Sequence, residues 1–499
     1  MQEEQKKKVV VHRRTGETMQ SVTPPLDLIT MKRLGQYFTP KPLSDIMAKL
    51  STRQKNVIRF LDPGAGIGIL TASYVASLIF RETRPKFLHL IAIEQDFSLI
   101  SSLAQTLESC RMLAAEVGIT VTTQIIQEDF LTYAGSVDKP IADVVITNPP
   151  YRKIRSDSEE RRLIRQIGLE TTNTYTAFLY ASMKCLSSDG ELISITPRSF
   201  CNGSYHKAFR QAYLSTMALK HLIIMDSRDK VFADVLQETI IAYGIKSPKQ
   251  SRVIDVSVYS SSQQHLSSHH SIPYSRVVYP DDSEQYIHIE IDSEDKHIAK
   301  RMGTLPTRLS DLHINVSTGP VVDFRAKEEL RAIPIPGSAP LLYPSHFKKT
   351  GMLWPQPNLE KPNAIMITEK TSRSLVPNGW YVIVRRFSSR EEKRRIVAYV
   401  YAGDLPGEVV GFENHINYFH HHGHVLEPSL AFGLAAYLNS QIVDDYYRLF
   451  GGHTQVNATD LRNIPYPSIE QIRAFGEWIM ANPALDVDAL LAKELFNAR

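Results

Sequence analysis

The sequence predicts an α/β protein with a mostly parallel, doubly wound sheet, followed by a C-terminal region of mixed α+β structure. Short apolar strand patterns alternate with helical patterns from residue 41 to residue 245, as they do in parallel sheets. A glycine-rich turn joins the first strand to the following helix, and polar side chains follow several strands in succession. In open α/β sheets the carboxyl ends of the strands form the edge where ligands bind.

Length and composition limit the class of protein. The chain has 499 residues, which predicts two domains plus appendages. No apolar run approaches the ~18 residues of a membrane span, and no signal-peptide pattern follows the basic start, so a cytoplasmic protein without a membrane partner is expected. Three cysteines without metal-ligand spacing indicate a reducing compartment. A formal charge of +4 permits a nucleic-acid partner without requiring one.

The first elements frame a glycine turn. Residues 1–30 are polar and basic and are typical of an arm, and Leu34–Pro40 is a loop that leads into a helix from Lys41 to Leu50. A strand from Val57 to Leu61 then runs into the turn Asp62-Pro-Gly-Ala-Gly-Ile-Gly68, and a helix follows. Such a unit lets backbone and a helix N-terminus approach a ligand closely. The glycine spacing is not that of dinucleotide binders, which makes NAD a minor option.

Acidic residues close the next two strands. The strand His89–Ile93 ends at Glu94, a position from which a carboxylate can bind ribose hydroxyls. After a helix from about Ser98 to Val117, the strand pattern Thr120–Ile126 leads to Asp129 and Phe130. Asp129 can accept a hydrogen from an adenine amine, and Phe130 can flank the ring. Each acid alone is more often a solvated strand end, but strand ends in succession favour a binding site.

The most informative stretch is Asp143-Val-Val-Ile-Thr-Asn-Pro-Pro-Tyr151. Its apolar residues predict a buried strand, and two prolines stop that strand abruptly, so Asn148 and Tyr151 should project from its carboxyl end. If the Asn148 side-chain carbonyl and the Pro149 backbone carbonyl each accept one N–H of a nucleobase amine, its nitrogen can attack an electrophile. Tyr151 would stack on the base. The plainer interpretation is a Pro-Pro turn after a core strand.

The segment after this motif continues the α/β alternation. Arg152–Arg165 holds six basic and three acidic residues and is either a solvated surface or a phosphate-binding segment beside the base pocket. A helix from Tyr175 to Leu186 and a strand from Glu191 to Thr196 follow. The strands His221–Met225 and Glu238–Tyr243 enclose Phe232, an aromatic residue that either stacks on the opposite face of the base or caps the core.

From about residue 250 the composition changes. Ser260–Ser271 is rich in Ser, Gln and His and predicts a surface loop, and prolines become frequent from 306 to 377. Two short strands enclose Arg385–Arg395, where six basic residues and one phenylalanine predict either a DNA-binding hairpin or a solvated one. A long amphipathic helix is expected from Ser429 to Phe450, and two short helices after about Ser468.

Two other patterns are weaker. Five histidines between His415 and His424 lack nearby cysteines or paired helical spacing, so no metal site is expected. Pro280-Asp281 with Glu294-Asp-Lys296 matches a loose nuclease pattern. However, its Glu and Lys follow the apolar strand predicted at Tyr286–Ile291 instead of lying within it, so we interpret the match as coincidence.

Taken in order, these motifs resemble one enzyme family. Gly35-Gln-Tyr-Phe-Thr-Pro40, the glycine turn, Glu94, Asp129-Phe130 and Asn148-Pro-Pro-Tyr151 resemble the adenine-N6 DNA methyltransferases of type II restriction-modification systems, in the gamma arrangement. The resemblance covers residues 31–245 and returns at Asn457–Pro467. It implies a Rossmann-like catalytic domain at 31–250, a connecting segment at 251–300, a target-recognition domain at 301–467 and C-terminal helices at 468–499.

The resemblance also implies a role for each matched position. Methyl transfer from S-adenosylmethionine to a flipped adenine in double-stranded DNA would need no metal. A separately encoded cognate restriction endonuclease is the expected partner. The catalytic set is Asn148, Pro149, Pro150 and Tyr151, and the cofactor-binding set is Phe38, Thr39, Asp62, Gly64, Ala65, Gly66, Glu94, Asp129 and Phe130. Tyr151 and Phe232 would stack on the base, and the DNA-binding set is Arg152, Lys153, Arg155, Arg385, Arg386 and Arg390.

Other functions remain open from the sequence alone. Methylation of a protein glutamine or of a guanine amine in ribosomal RNA shares the Asn-Pro-Pro-Tyr motif, but neither explains some 200 residues after the catalytic domain. A combined nuclease and methyltransferase, or a DNA-binding specificity subunit without chemistry, is also compatible with parts of the chain. The recognised DNA word and the modified base within it cannot be predicted from these patterns.

Overall fold

The structure, a computed structural model, describes residues 39–225, 238–260, 262–348, 351–358, 360–389, 392–482 and 486–496. It divides into two compact units. The first combines residues up to 201 with 205–291, and the second combines 202–204 with 292–499.

The first unit is built on one sheet whose strands follow the order β3-β2-β1-β4-β5-β7-β6-β8-β9. Strands β1 to β5 run parallel, and β7 lies antiparallel between β5 and β6. The strands are β1 Val57–Pro63, β2 Phe87–Ile93, β3 Thr120–Ile126, β4 Ala142–Thr147, β5 Leu186–Pro197, β6 Met217–Met225, β7 Thr239–Lys246, β8 Val253–Ser260 and β9 His265–Pro273. The Rossmann-like fold class expected from the sequence is confirmed.

Helices cover both faces of this sheet. They are α1 Lys41–Leu50, α2 Ile69–Ile79, α3 Phe97–Ala115, α4 Phe130–Gly135, α5 Glu159–Gln166, α6 Thr174–Cys185, α7 Lys207–Thr216 and α8 Tyr274–Val277. The strand β4 shows why two layers are needed. Val144 and Ile146 pack into the core formed with α1, α2 and α3, whereas Val145 packs into the core formed with α4, α6 and α7. A strand buried on both faces requires this continuous apolar pattern.

Two expectations for residues 250–300 were wrong, whereas the position of Glu294 and Lys296 outside a strand agrees with the sequence. Ser260–Ser271 was expected to be a surface loop, but much of it forms β9, which pairs antiparallel with β8. Its polar side chains are tolerated because β9 is the last strand of the sheet and is mostly exposed. Tyr286–Ile291 is not a strand. Its backbone instead bonds to other segments, for example from the His288 N–H to the carbonyl of Val277 at 2.7 Å. Glu294 and Lys296 lie in a helix rather than in a nuclease-like strand.

The described residues of the second unit form two larger sheets and one short sheet of β13 and β14. Strands β10, β20, β17 and β18 form one antiparallel sheet, and β11, β15, β12, β19 and β16 form another. The strands are β10 Asn315–Thr318, β11 Leu330–Arg331, β12 Ser338–Leu342, β13 Phe347–Lys348, β14 Gly351–Met352, β15 Ala364–Met366, β16 Val376–Pro377, β17 Trp380–Arg385, β18 Ala398–Ala402, β19 Val409–Phe412 and β20 Ile416–His420. The helices are α9 Ser293–Met302, α10 Glu369–Ser372, α11 Pro428–Leu438, α12 Gln441–Phe450, α13 Ala458–Arg462, α14 Ile469–Ala481 and α15 Val487–Phe496.

The long helix expected at Ser429–Phe450 is broken into α11 and α12. The break falls at Asn439, whose side chain accepts the Ala398 N–H at 2.9 Å and donates to the Ala398 carbonyl at 2.8 Å. Ser440 follows in an extended conformation before α12 begins. The Ser440 hydroxyl also donates to the Tyr437 carbonyl at 2.7 Å, and such a local side-chain bond competes with helix continuation. The two C-terminal helices, α14 and α15, agree with the sequence.

A membrane span is not found in the described part of the chain, because none of its helices is both long enough and apolar enough.

Candidate active site

The candidate site lies where the strand order of the first unit reverses. β1 has β2 on one side and β4 on the other, with Phe60 opposite Val144 and Leu61 opposite Val145. One residue before Asn148, the Thr147 hydroxyl donates a hydrogen bond to the Pro63 carbonyl at 3.2 Å. The end of β4 is therefore tied directly to the glycine turn that follows β1. Ligands of doubly wound sheets bind at such a reversal.

The glycine turn has a backbone that other residues adopt only with strain. Gly64, Gly66 and Gly68 have φ angles of 74°, 57° and 86°. At Gly68 a Cβ would also lie 3.0 Å from a methyl carbon of Leu103 on α3. The N–H groups of Gly64 and Ala65 donate to the Ile93 carbonyl at 2.9 Å, so the turn is anchored to the end of β2. The predicted cofactor residues Gly64, Ala65 and Gly66 therefore lie in one turn that hydrogen bonds anchor to β2.

Two buried carboxylates lie beside the turn. Asp62 is 0% exposed and its Oδ2 accepts the Thr71 hydroxyl at 2.7 Å, while its Oδ1 has no hydrogen-bond partner in the described chain. Burial raises the pKa of Asp62 to about 7. Glu94 accepts the N–H of Gly66 at 2.7 Å and the N–H of Asp96 at 2.8 Å, and burial raises its pKa as well.

These carboxylates suit a cationic ligand with hydrogen-bond donors. An unsatisfied buried oxygen at Asp62 is costly unless a donor or a positive charge reaches it. S-adenosylmethionine carries a sulfonium, an ammonium and ribose hydroxyls, so the hydrogen-bond acceptors of Asp62 and Glu94 are compatible with it. Glu94 also holds the glycine turn in place by accepting the Gly66 N–H, a role that the sequence does not indicate.

Asn148 and Tyr151 form a hydrogen-bonded pair at the end of β4. The Tyr151 hydroxyl lies 2.8 Å from Asn148 Oδ1 and 3.0 Å from the Ile195 carbonyl, and Asn148 Nδ2 donates to the Thr39 hydroxyl at 3.1 Å. Asn148 is half-buried rather than packed into the interior, and Pro149 is buried. The structure therefore brings together Thr39, the Asn-Pro-Pro-Tyr motif and the glycine turn.

Tyr151 packs against Tyr175, which belongs to a hydrogen-bonded cluster. Its ring meets that of Tyr175 edge-on, with centroids 6.3 Å apart. The Tyr175 hydroxyl lies 2.9 Å from the Ser199 hydroxyl and 3.1 Å from His206 Nε2. The sequence did not point to these residues or to the Ile195 carbonyl, because a supporting contact has no motif. The one available signal was that the strand containing Ile195 follows the catalytic strand.

Asp129 and Phe130 follow β3 at the start of α4. Asp129 caps α4 by accepting the Thr132 N–H at 3.0 Å. Phe130 is 2% exposed, and its ring centroid lies 5.1 Å from that of Phe178. Phe178 in turn would be 3.5 Å from a Cβ at Gly64, so this ring, unnoticed in the sequence, lies against the glycine turn. A role for Phe130 beside an adenine ring stays a prediction.

Three predicted site residues, Phe38, Phe232 and Arg390, lie outside the described residues. Among the residues that are described, no three His, Cys, Asp or Glu side chains converge as metal ligands would.

Comparison with known proteins identifies the family. The chain is 41% identical over 484 residues to the type II methyltransferase M.BsuBI of Bacillus subtilis, covering 93% of this chain and 95% of the relative. It is 39% identical to M.PstI of Providencia stuartii, covering 90% of this chain and 89% of the relative. The chain belongs to the type II methyltransferases. The family model described as Eco57I restriction-modification methylase matches residues 113–232, which include the Asn-Pro-Pro-Tyr motif.

One solved structure has a fold similar to that of this methyltransferase. The ATP-dependent type ISP restriction-modification enzyme LlaBIII, solved bound to DNA, aligns with a TM-score of 0.51 and 12% identity. The alignment covers 89% of this chain and 39% of that one, so it concerns the fold alone.

The predicted DNA-binding residues of the methyltransferase differ in whether their side chains already bind other groups of the protein. Arg152 binds Glu160 through both of its terminal nitrogens, at 2.9 and 3.1 Å. Lys153 and Arg155 are exposed. In the second unit, Arg385 pairs with Glu392, and Arg386 donates to the Asn414 carbonyl at 3.1 Å. Arg152 is exposed as well but is paired to Glu160, so Lys153 and Arg155 are better able to meet phosphates without first breaking an ion pair.

Proposed function

We propose that this type II methyltransferase transfers a methyl group from S-adenosylmethionine to the N6 amine of an adenine in double-stranded DNA. The observation that carries the proposal is the position of Asn148. Its half-buried amide ends the strand next to the glycine turn, and its oxygen lies 2.8 Å from the hydroxyl of Tyr151. An amine acceptor, an aromatic ring and a candidate cofactor turn thus meet at one edge of the sheet.

Asn148 addresses the main difficulty of the reaction. The lone pair of an exocyclic adenine amine is delocalised into the ring, which makes the nitrogen a poor nucleophile. Hydrogen bonds from this amine to the Asn148 side-chain carbonyl and the Pro149 backbone carbonyl favour a pyramidal nitrogen. Its lone pair then becomes available for attack, and the positioning of two reactants contributes much of the remaining acceleration.

Tyr151 and the cofactor residues complete the site. The ring of Tyr151 offers a stacking surface for an adenine rotated out of the duplex. When bound, S-adenosylmethionine supplies an electrophilic methyl group on a sulfonium. Asp62 and the turn at Gly64 to Gly66 would hold its methionine part together with the backbone of Thr39, whose side-chain hydroxyl bonds to Asn148 instead, and Glu94 would hold its ribose. The adenine ring of the cofactor would lie near Asp129.

The second unit would recognise the DNA sequence. It carries Arg385 and Arg386, and the first unit contributes the exposed Lys153 and Arg155 near the catalytic motif. These residues would bind phosphates and position the duplex, while base contacts specify the word. We further propose that the enzyme acts in the cytoplasm beside a cognate restriction endonuclease encoded separately, whose cleavage the methylation prevents.

Methylation of cellular DNA is the direct test. Single-molecule sequencing of DNA from cells that express this chain should show N6-methyladenine at one short word. Cells that express Asn148→Ala should show none, although the purified variant still binds S-adenosylmethionine. Asn482→Ala, a change at an exposed residue after α14, is the matched control and should methylate like the wild type. Transfer of labelled methyl groups to RNA or protein instead of DNA would refute the proposal, as would a fully active Asn148→Ala enzyme.

A further inference from the structure

Resting on the proposed function, we infer that Thr39 and Tyr151 are positioning residues that hold the Asn148 amide where its carbonyl oxygen can meet the substrate amine. An asparagine side chain has a carbonyl oxygen at one end and an NH₂ group at the other, and the two ends have nearly the same shape. Only the orientation that presents Oδ1 to the substrate amine is productive. An amide turned by 180° would present a donor to another donor.

The hydrogen bonds assign opposite roles to the two ends. Thr39 Oγ1 lies 3.1 Å from Nδ2 and accepts its hydrogen, while the Tyr151 hydroxyl lies 2.8 Å from Oδ1 and donates. The Ile195 carbonyl, which can only accept, lies 3.0 Å from the same Tyr151 hydroxyl and anchors that hydroxyl beside the amide. The amide is therefore held by a hydrogen bond at each of its two ends.

Thr39 is held firmly enough to do this. It is 5% exposed and precedes Pro40, the N-cap residue of α1. The N–H groups of Leu43 and Ser44 close the first turn of α1 on the Pro40 carbonyl, each at 3.0 Å. Leu43 belongs to the apolar core that α1, α2 and α3 form on one face of the sheet. The docking of α1 therefore places a hydroxyl against an amide 109 residues further along the chain.

Tyr151 has two acceptors for one hydrogen. Its hydroxyl can donate to Asn148 Oδ1 or to the Ile195 carbonyl, which lie at similar distances. When an adenine amine reaches Oδ1, the hydroxyl can turn toward Ile195 and remain satisfied. The Tyr151 ring need not move, so the stacking surface and the orientation of the amide are maintained together.

The first experiment compares Thr39→Val with Thr39→Ser, using DNA that carries the word methylated by the wild-type enzyme. Valine keeps the shape of threonine and removes the acceptor, whereas serine restores the hydroxyl. We expect kcat of Thr39→Val at saturating S-adenosylmethionine to fall by about tenfold to a hundredfold, as small misplacements of reacting groups do. The KM for DNA should stay within about twofold, and Thr39→Ser should recover most of kcat.

Cofactor binding distinguishes this role from a simpler one. Calorimetric titration with S-adenosylhomocysteine should give similar dissociation constants for the wild type and Thr39→Val. If instead affinity falls while kcat at saturation is unchanged, Thr39 serves the cofactor and the inference is overturned. It is also overturned if Thr39→Val matches the wild type throughout. A wild-type enzyme that does not methylate DNA would refute the proposed function itself.

Tyr151→Phe provides a second variant in case Thr39→Val does not fold. It keeps the stacking ring and loses the hydroxyl, so kcat should fall by about threefold to tenfold with little change in the KM for DNA. In Thr39→Val/Tyr151→Phe the two losses should not multiply, because both residues act on one amide. Losses that multiply, or an unchanged kcat in Tyr151→Phe, would show that the hydroxyls do not act through Asn148.

Discussion

Asp62→Asn should abolish a pH dependence of cofactor binding that the buried carboxylate creates. Burial raises the pKa of Asp62 to about 7, so about one-tenth of the protein carries an ionised Asp62 at pH 6 and about nine-tenths at pH 8. If the cationic cofactor binds the ionised form, affinity should rise about tenfold between these pH values. Asparagine has no charge to titrate, so the variant should lack this increase.

Calorimetric titration of S-adenosylmethionine from pH 6 to pH 8 measures the effect. The amino group of the cofactor titrates equally against both proteins, so the difference between wild type and Asp62→Asn isolates the carboxylate. Binding near pH 7 should also release protons, which appears as a heat that depends on the buffer. Parallel affinity profiles for the two proteins would refute the reasoning.

The same pKa predicts a change in stability. Because the folded protein holds the Asp62 proton more tightly than the unfolded chain does, the contribution of this group is present at low pH and is lost as pH rises through about 7. Because the cofactor is expected to bind the ionised form of Asp62 more tightly, S-adenosylmethionine should raise the melting temperature more at pH 8 than at pH 6.

Two further predictions concern packing and DNA binding. In Gly433→Ala, a Cβ would lie 1.8 Å from the carbonyl oxygen of Ile472, so α11 and α14 would be forced apart and the free energy of unfolding should fall by about 3 kcal/mol in denaturant titrations. Gly135→Ala, whose Cβ would be 3.9 Å from its nearest neighbour, is the control and should lose nothing. Lys153→Ala should weaken DNA binding and reduce the slope of log K against log salt by about 1, because Lys153 is exposed. Arg152→Ala should have a smaller effect, since its guanidinium is already paired to an acidic side chain, and equal slopes for Lys153→Ala and the wild type would contradict the assignment.

Some features of the site could be predicted because they are local. The apolar run before Asn148 and the two prolines after it determine a buried strand with an abrupt end, whatever the rest of the chain does. The glycines after Asp62 likewise predict a turn with unusual backbone angles, and the structure gives Gly64 a φ of 74°. Patterns failed where a partner was distant. Asn439, at the helix break, bonds to a strand about 40 residues earlier, and a helical period cannot reveal that pairing.

The sequence by itself determined the fold class, the order of the motifs and the family resemblance, because these follow from short patterns of residue types. Only the tertiary structure decided how the motifs meet. The docking of α1 places Thr39 against Asn148, and β5 places the Ile195 carbonyl against Tyr151. The burial of Asp62 is also a property of the folded chain, since the raised pKa comes from the loss of water around the carboxylate. Contacts between distant residues and changes in solvation exist only after folding, which is why no local pattern encodes them.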